Sequence, residues 1–163
     1  MTFAPRTWVV GETVGAATMN TEIRDQFNSI FDPWTTYTPT WAGGSPVIGN
    51  GTLTGRHMKV GRTCHVAVKQ QNGSTTTYGS GGYTWTLPFA AASATVDYLG
   101  SARLVGSDAW FGQCIVSSGG SALTAVFPAT TTNTRSATMT PTVPETFINA
   151  AILRMSITYQ TAS

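Results

Sequence analysis

Alternation of apolar and polar side chains with a period of two is the feature that most constrains this fold. It is clearest near the C-terminus, where Leu153, Met155, Ile157 and Tyr159 alternate with polar residues. A strand with this pattern buries one face and leaves the other in solvent. The same alternation predicts eight strands, at residues 36–41, 52–60, 63–71, 83–87, 98–105, 110–117, 122–127 and 150–160. Eight short strands separated by turns predict a mainly β fold, a jelly-roll-like β-sandwich.

The composition suits exposed strands and disfavours two classes of partner. Charged residues make up 10% of the chain, whereas 29 Thr and 13 Ser supply most of its polar surface. Thr is β-branched and fits exposed strand positions. A formal net charge of +2 lacks the basic stripe typical of nucleic-acid binding, and no apolar run is long enough to span a bilayer. We expect neither a nucleic-acid partner nor membrane insertion.

Residues 1–34 differ from the rest of the chain and contain the predicted helix. Apolar side chains recur there at steps of three and four, as in an amphipathic helix: Ala16, Met19, Ile23, Phe27 and Ile30. Gly15 or Thr13 caps its start, and Asp32 ends it because the residue before a proline avoids the α conformation. A helix of about sixteen residues is marginal in water by itself. Its apolar stripe is therefore expected to pack on another surface.

An apolar arm precedes the helix. Residues 2–10 read as extended chain, and Phe3, Trp8 and Val9 are too apolar for a solvated tail. Chain ends usually fray unless something holds them. We therefore predict that residues 1–34 attach to another surface, such as another subunit, and that residues 35–163 form a separate β-domain. The arm lacks the apolar core of a signal peptide, which predicts synthesis in the cytoplasm.

Five basic residues surround a hairpin predicted at the Gly61–Arg62 turn: Arg56, His57, Lys59, Arg62 and His65. They form a candidate site for an anionic ligand. The alternative is that the outer face of a strand needs polar residues, and that basic ones also discourage pairing at a sheet edge. We interpret all five as the solvated face of the hairpin, with the alternating apolar positions 64, 66 and 68 in the core.

The residues required for catalysis or for binding a cofactor are missing. The chain has neither a G-x-S-x-G nor an H-E-x-x-H motif. Glycoside hydrolysis needs two carboxylates across a cleft, and Asp97 and Asp108, the best pair available, read as turn residues. Cys64 and Cys114 lie in apolar runs and are expected to be buried thiols, without the spacing of a zinc site. We expect no enzyme and no cofactor, with a polysaccharide depolymerase as the weakest alternative.

Aromatic residues near the glycine-rich loop are candidates for contact with a glycan. Tyr78, Tyr83 and Trp85 fall within or just after residues 72–82. Aromatic rings can stack on sugars, but Trp and Tyr are also common anchors in cores and subunit interfaces. These three residues make a carbohydrate-binding module a competing hypothesis for the β-domain.

Two stretches resemble virion proteins of tailed bacteriophages, especially minor tail or tail-fibre proteins of actinobacterial phages. The first is TWVVGETVGAATMNTEIRDQFN, residues 7–28. The second runs from YTPTWAGG at residue 37 through IGNGTLTGRHMKVGRTCHVAV to GSTTTYGSGGYTWTLP, which ends at residue 88. Within the family pattern W-x-x-G-E-x-V-T-A-A-x-M-N-x-x-x-R-D, Gly15 stands where Thr is common. His57 replaces a frequent Tyr. The resemblance covers roughly the first 90 residues.

The resemblance implies a homotrimer on the virion surface. N-terminal segments would anchor to capsid or tail proteins or bundle together, and β-sandwich heads would project outward. Ile23, Phe27 and Ile30 would then meet around the trimer axis. The function predicted is a non-enzymatic surface fibre or tail-fibre-type appendage that contacts the host envelope, with a host cell-surface glycan as a further partner. A capsid decoration or head-fibre protein that stabilises the shell is the alternative.

Overall fold

A computed structural model describes residues 7–162, which form ten β-strands and one helical segment. The helical segment comprises α1 (Ala16–Met19), a π-helical turn (Asn20–Arg24) and α2 (Asp25–Phe31). The strands are β1 (Thr35–Tyr37), β2 (Trp41–Ala42), β3 (Thr52–Val60), β4 (Thr63–Gln71), β5 (Thr84–Thr86), β6 (Tyr98–Val105), β7 (Ala109–Val116), β8 (Ala122–Pro128), β9 (Ser136–Thr138) and β10 (Ile152–Gln160). The prediction of a mainly β chain with one N-terminal helix is confirmed.

The strands pair into one antiparallel sheet in the order β1-β3-β4-β10-β6-β7-β8-β5-β2, and β9 also pairs with β8. The last strand, β10, lies inside this order and pairs with β4 on one side and β6 on the other. Its alternation decides both faces of the sheet. Leu153, Met155, Ile157 and Tyr159 are each 2–3% exposed, and the polar residues between them face solvent.

The sheet curls around one hydrophobic core. β4 and β5 are far apart in the strand order, yet Trp85 donates its Nε1 hydrogen to Oε1 of Gln70 at 2.8 Å, and both side chains are buried. Since buried polar groups need partners, this bond satisfies two of them at once. The largest fully buried side chains are Trp85, Tyr83, Tyr159, Phe127, Leu104 and Leu123.

One predicted strand divides in two. The segment 36–41 forms β1, which pairs with β3, and β2, which pairs with β5 at the other end of the strand order. Pro39 lies between them and is buried. Proline has no N–H to donate to a strand ladder, so the chain leaves one edge of the sheet there and reaches the other. The short strand β9 was not predicted, because three residues show too little alternation.

Leu123 and Leu99 offer a matched test of which strand face builds the core. Leu123 is 0% exposed, whereas Leu99 on β6 is 62% exposed. We expect Leu123→Ala to lower the free energy of unfolding by about 2–5 kcal/mol, because it leaves a cavity. Leu99→Ala should change it by about 0.5 kcal/mol or less. Urea denaturation followed by tryptophan fluorescence measures both values. Similar losses for the two variants would contradict the assignment of faces.

Candidate functional site

The ends of the helical segment follow the sequence signals. Gly15 is the N-cap residue, extended and without a side-chain cap bond. Asp32, before Pro33, is also extended, with φ −61° and ψ 142°. The interior differs from the uniform α-helix that the periodicity predicts. Residues 20–24 form a π-helical turn in which the Asp25 N–H bonds to the Asn20 carbonyl. Such turns insert one extra residue into a helix.

The apolar stripe of this segment is largely uncovered. Met19, Ile23, Phe27 and Ile30 are 43%, 36%, 61% and 45% exposed, and no residue of the segment is buried. Trp8 and Val9 of the arm are exposed as well, while Phe3 lies outside the described residues. The hydrophobic core cluster draws its members from residue 37 onward. Within residues 7–162, the sheet therefore leaves this stripe open to another surface.

The end of the β3–β4 hairpin faces the stripe. A groove of about 430 Å³ separates the two, lined by Ile23, Phe27 and Ile30 on the helix and by Val60 and Gly61 on the hairpin. The lining is predominantly apolar. A groove of this kind can accept an apolar side chain from another molecule, because burial of apolar surface is favourable wherever the surface comes from.

The other side of the helical segment forms a polar cleft against β3. Asp25 and Asp32 line this cleft of about 320 Å³ together with His57, Lys59 and Phe89. His57 contacts the edges of two rings, Tyr37 at 5.7 Å and Phe89 at 5.2 Å between centroids. Burial lowers the pKa of His57 below its ordinary value, because it disfavours the charged imidazolium. Among the described residues, no group of three or more His, Cys, Asp or Glu could hold a metal ion.

The predicted hairpin is confirmed, but its basic residues are divided between two faces. Val60 pairs with Thr63 across the two-residue turn, and Gly61 adopts φ +57°, which suits glycine. His57 lies opposite Val66 and Lys59 opposite Cys64, so both belong to the core-side face. Lys59 places its Nζ 4.7 Å from the centre of the Phe89 ring. The interpretation that all five face solvent is wrong for these two residues.

The remaining three residues of that set face outward. Arg56 donates to the Trp34 carbonyl at 3.1 Å, and a ring nitrogen of His65 hydrogen-bonds the Thr158 hydroxyl at 2.8 Å. Arg62 donates to the carbonyls of residues 161 and 162 at 3.3 and 3.1 Å. These contacts fasten the hairpin to its neighbours and to the C-terminal end. They are structural contacts, and they gather no shared ligand site around the turn.

The glycan prediction fails for two of its three residues. Tyr83 and Trp85 are both 0% exposed. The Tyr83 hydroxyl donates to the Tyr78 carbonyl at 2.6 Å, and Trp85 is bonded within the core as described above. A buried ring has no face for a sugar to stack on, so both are core residues. Tyr78 is half-buried, and its ring meets the ring of Phe147 edge-on at 5.5 Å.

The carboxylates considered for catalysis are separated. Asp97 precedes β6 and Asp108 follows it, so an eight-residue strand holds them roughly 26 Å apart. The separation used by glycosidases is about 5–10 Å. Asp97 accepts a bond from the Ser118 N–H at 3.0 Å, and Glu145 accepts bonds from the N–H groups of residues 107 and 108. The carboxylates of Asp97 and Glu145 thus stabilise turns, and Asp108 takes part through its backbone N–H.

Cys64 and Cys114 are buried thiols without a disulfide, each 0% exposed. The Cys114 Sγ lies 3.4 Å from the Ser101 carbonyl oxygen and 3.5 Å from that of Ser156. Burial raises the pKa of Cys114 to about 11 and also raises the pKa of Cys64. A thiol with a raised pKa is a poor nucleophile near neutral pH, so these cysteines fill space in the core.

Comparison with known proteins adds no relative. No protein-family model matches the chain, and neither the curated proteins nor the solved structures that were compared contain a match. No helix among residues 7–162 has the length and apolar character needed to cross a membrane.

The buried Cys114 thiol predicts a loss of stability at alkaline pH. Between the ordinary pKa of 9.0 and the folded value of about 11, the unfolded chain loses this proton first. The unfolded state is therefore favoured as the pH rises, by at most about 1.4 kcal/mol per pH unit for this group. Cys114→Ala should make the fall in unfolding free energy between pH 9 and 11 shallower.

Urea denaturation at pH 8, 9, 10 and 11 measures this slope. Val116→Ala is the matched control, since it also truncates a fully buried side chain of β7 but removes no titrating group. It should lower the stability at every pH and keep the original slope. An unchanged slope in Cys114→Ala would show that the thiol does not titrate differently in the folded protein.

Proposed function

We propose that this chain is a non-enzymatic structural protein of a bacteriophage virion. In this proposal residues 1–34 associate as a homotrimer and anchor the chain to other virion proteins, and residues 35–163 project from the surface of the particle as a fibre or tail-fibre-type appendage. The observation that carries the proposal is the uncovered apolar stripe of the helical segment, beside a sheet whose own core is complete.

The energetics of the helical segment support association. Its N-cap glycine makes no side-chain bond to the first turn, and a π-helical turn interrupts it. A segment of sixteen residues with these features gains little stability from its own hydrogen bonds. Burial of the side chains of Ile23, Phe27 and Ile30 against other copies would supply the missing stabilisation, because each is more than one-third exposed here.

The architecture of the β-domain supports the proposed role as a projecting unit. Its strands form a continuous sheet, and a buried bond between Trp85 and Gln70 links distant parts of it. In the proposal this curled sheet serves as the jelly-roll-like sandwich of the appendage. Its low content of charged residues and its many Thr and Ser side chains suit a surface that is exposed on a particle and depends little on ionic strength.

The position on the virion can be tested by imaging. Antibodies raised against residues 35–163 and coupled to gold would be applied to intact particles. Label at the tail supports the fibre or appendage. Label spread over the shell would move the same structural role to the decoration or head-fibre alternative. Particles without accessible label would contradict a surface role.

Phe27→Asp tests the helical segment as the association element. Phe27 is the most exposed of the large side chains of the stripe, and a carboxylate there would have to be buried in the proposed seam, at a large desolvation cost. We expect the full-length protein to be a trimer and the variant to be a monomer by light scattering coupled to size exclusion. The β-domain of the variant should remain folded, with unchanged near-ultraviolet circular dichroism from its core, since Phe27 lies outside the core cluster.

Asn28→Asp is the matched control for that experiment. It introduces the same charge at the next residue, which is exposed and outside the stripe, and should leave the trimer intact. If the parent chain is itself a monomer, or if Phe27→Asp remains a trimer, the stripe does not drive association and the proposal fails.

A further inference from the structure

Three basic side chains form a row across neighbouring strands on the outer face of the sheet. Lys69 on β4 lies opposite Arg154 on β10, and Arg154 lies opposite Arg103 on β6. All three are exposed. Neighbouring strands are about 4.8 Å apart, so the three positive charges follow one another across roughly 10 Å. Like charges directly opposite each other destabilise a sheet. A bound anion would relieve this repulsion.

The row has no acidic partner among the residues that the structure describes. Across residues 7–162, none of these three cations forms an ion pair with a carboxylate. Arg103 instead lies over the Phe111 ring, with its guanidinium carbon 5.5 Å from the ring centre. Phe111 itself is 72% exposed. The β-domain as a whole carries seven Lys and Arg but three Asp and Glu, so the charge of the row is not balanced nearby.

A groove follows the row. It has a volume of about 680 Å³, and no Asp or Glu lines it. Two residues further along each strand, Ala67, Ser156 and Ser101 lie opposite one another and form a floor of small side chains. The longer cationic side chains form one wall, because they stand above this floor. Thr54 and Arg56 on β3 lie at one end of the groove and Phe111 on β7 at the other.

We propose that this groove binds an acidic polysaccharide, a sugar chain that carries carboxylate or phosphate groups. Lys69, Arg154 and Arg103 are placed to form charge-assisted hydrogen bonds with successive acidic groups. The hydroxyls of Ser101 and Ser156 can bond to sugar hydroxyls. The exposed Phe111 ring offers an apolar face to a sugar ring. The groove runs across five strands, roughly 19 Å, which fits an extended chain.

Two other anionic occupants fit the groove less well. Single-stranded nucleic acid is usually held by several aromatic side chains that stack on successive bases, and this groove contains one aromatic residue, Phe111. The other occupant, the helical segment of a second copy, fits less well because its Asp25 is already paired with Arg24 at 2.7 Å. The inference rests on the β-domain alone and does not require association of the helices.

Titration calorimetry of the full-length protein tests the inference with defined polymers. Alginate supplies carboxylates, dextran phosphate supplies phosphates, and unmodified dextran is the neutral control. We expect at least one acidic polymer to bind, unmodified dextran not to bind, and the affinity to fall between 50 and 500 mM NaCl because exposed charges are screened by salt. The two acidic polymers distinguish carboxylate from phosphate recognition.

Arg154→Gln removes the central charge of the row. It should weaken binding by roughly tenfold or more, the usual effect of losing a hydrogen bond to a charged group. Arg135→Gln is the matched control, since Arg135 is an exposed arginine on the loop before β9 and is absent from the groove. It should bind nearly as tightly as the parent. Lys69→Gln serves as a second groove variant, and thermal unfolding confirms that each variant is folded.

Several outcomes would overturn the inference. These are no binding of either acidic polymer, equal losses in Arg154→Gln and Arg135→Gln, or tighter binding of a single-stranded DNA oligonucleotide of equal charge. A change of oligomeric mass in Arg154→Gln would instead assign the groove to a second copy. Because the mass is measured separately from polymer binding, failure of this inference is distinguishable from failure of the proposed trimer.

Discussion

The pairing of β10 with two partners at once is the constraint on which the rest of the fold depends. This strand hydrogen-bonds β4 along its whole length and β6 along half of it. The strand therefore connects the strands of residues 52–71 to the strands that begin at residue 98. The same pairing determines the outer face, because residues opposite one another across strands point to the same side. The core and the cationic groove therefore lie on opposite faces of the same paired strands.

The described chain divides its apolar surface unequally. The β-domain completely buries large side chains such as Trp85, Tyr83 and Leu123, and Nε1 of Trp85 finds a hydrogen-bond acceptor within the core. The helical segment buries none of its residues. In the proposed function this difference separates two roles: the exposed stripe of the segment anchors the chain, and the β-domain contacts the surroundings.

The sequence predicted the elements well because they depend on local periodicity. The β3–β4 hairpin and β6 have the predicted bounds, and the helix begins and ends at the predicted residues. Predictions about sites were less successful. His57 and Lys59 occupy odd positions of β3 and Arg56 an even one. A period of two therefore places them on opposite faces of the strand, although their shared charge suggested a single solvated face. Tyr83 and Trp85, which lie in the predicted strand 83–87 and were candidates for glycan contact, are covered by the curled sheet.

By itself, the sequence determined the mainly β character, the single helix, the hairpin turn at Gly61 and the buried positions of both cysteines. Each of these follows from neighbours within a few residues of the chain. The tertiary structure alone decided which strands lie side by side. Lys69, Arg103 and Arg154 are separated by at least 34 residues in sequence, and only the pairing of β4, β10 and β6 places them in a row. Contacts between strands so far apart depend on the packing of the whole sheet, which local periodicity does not encode.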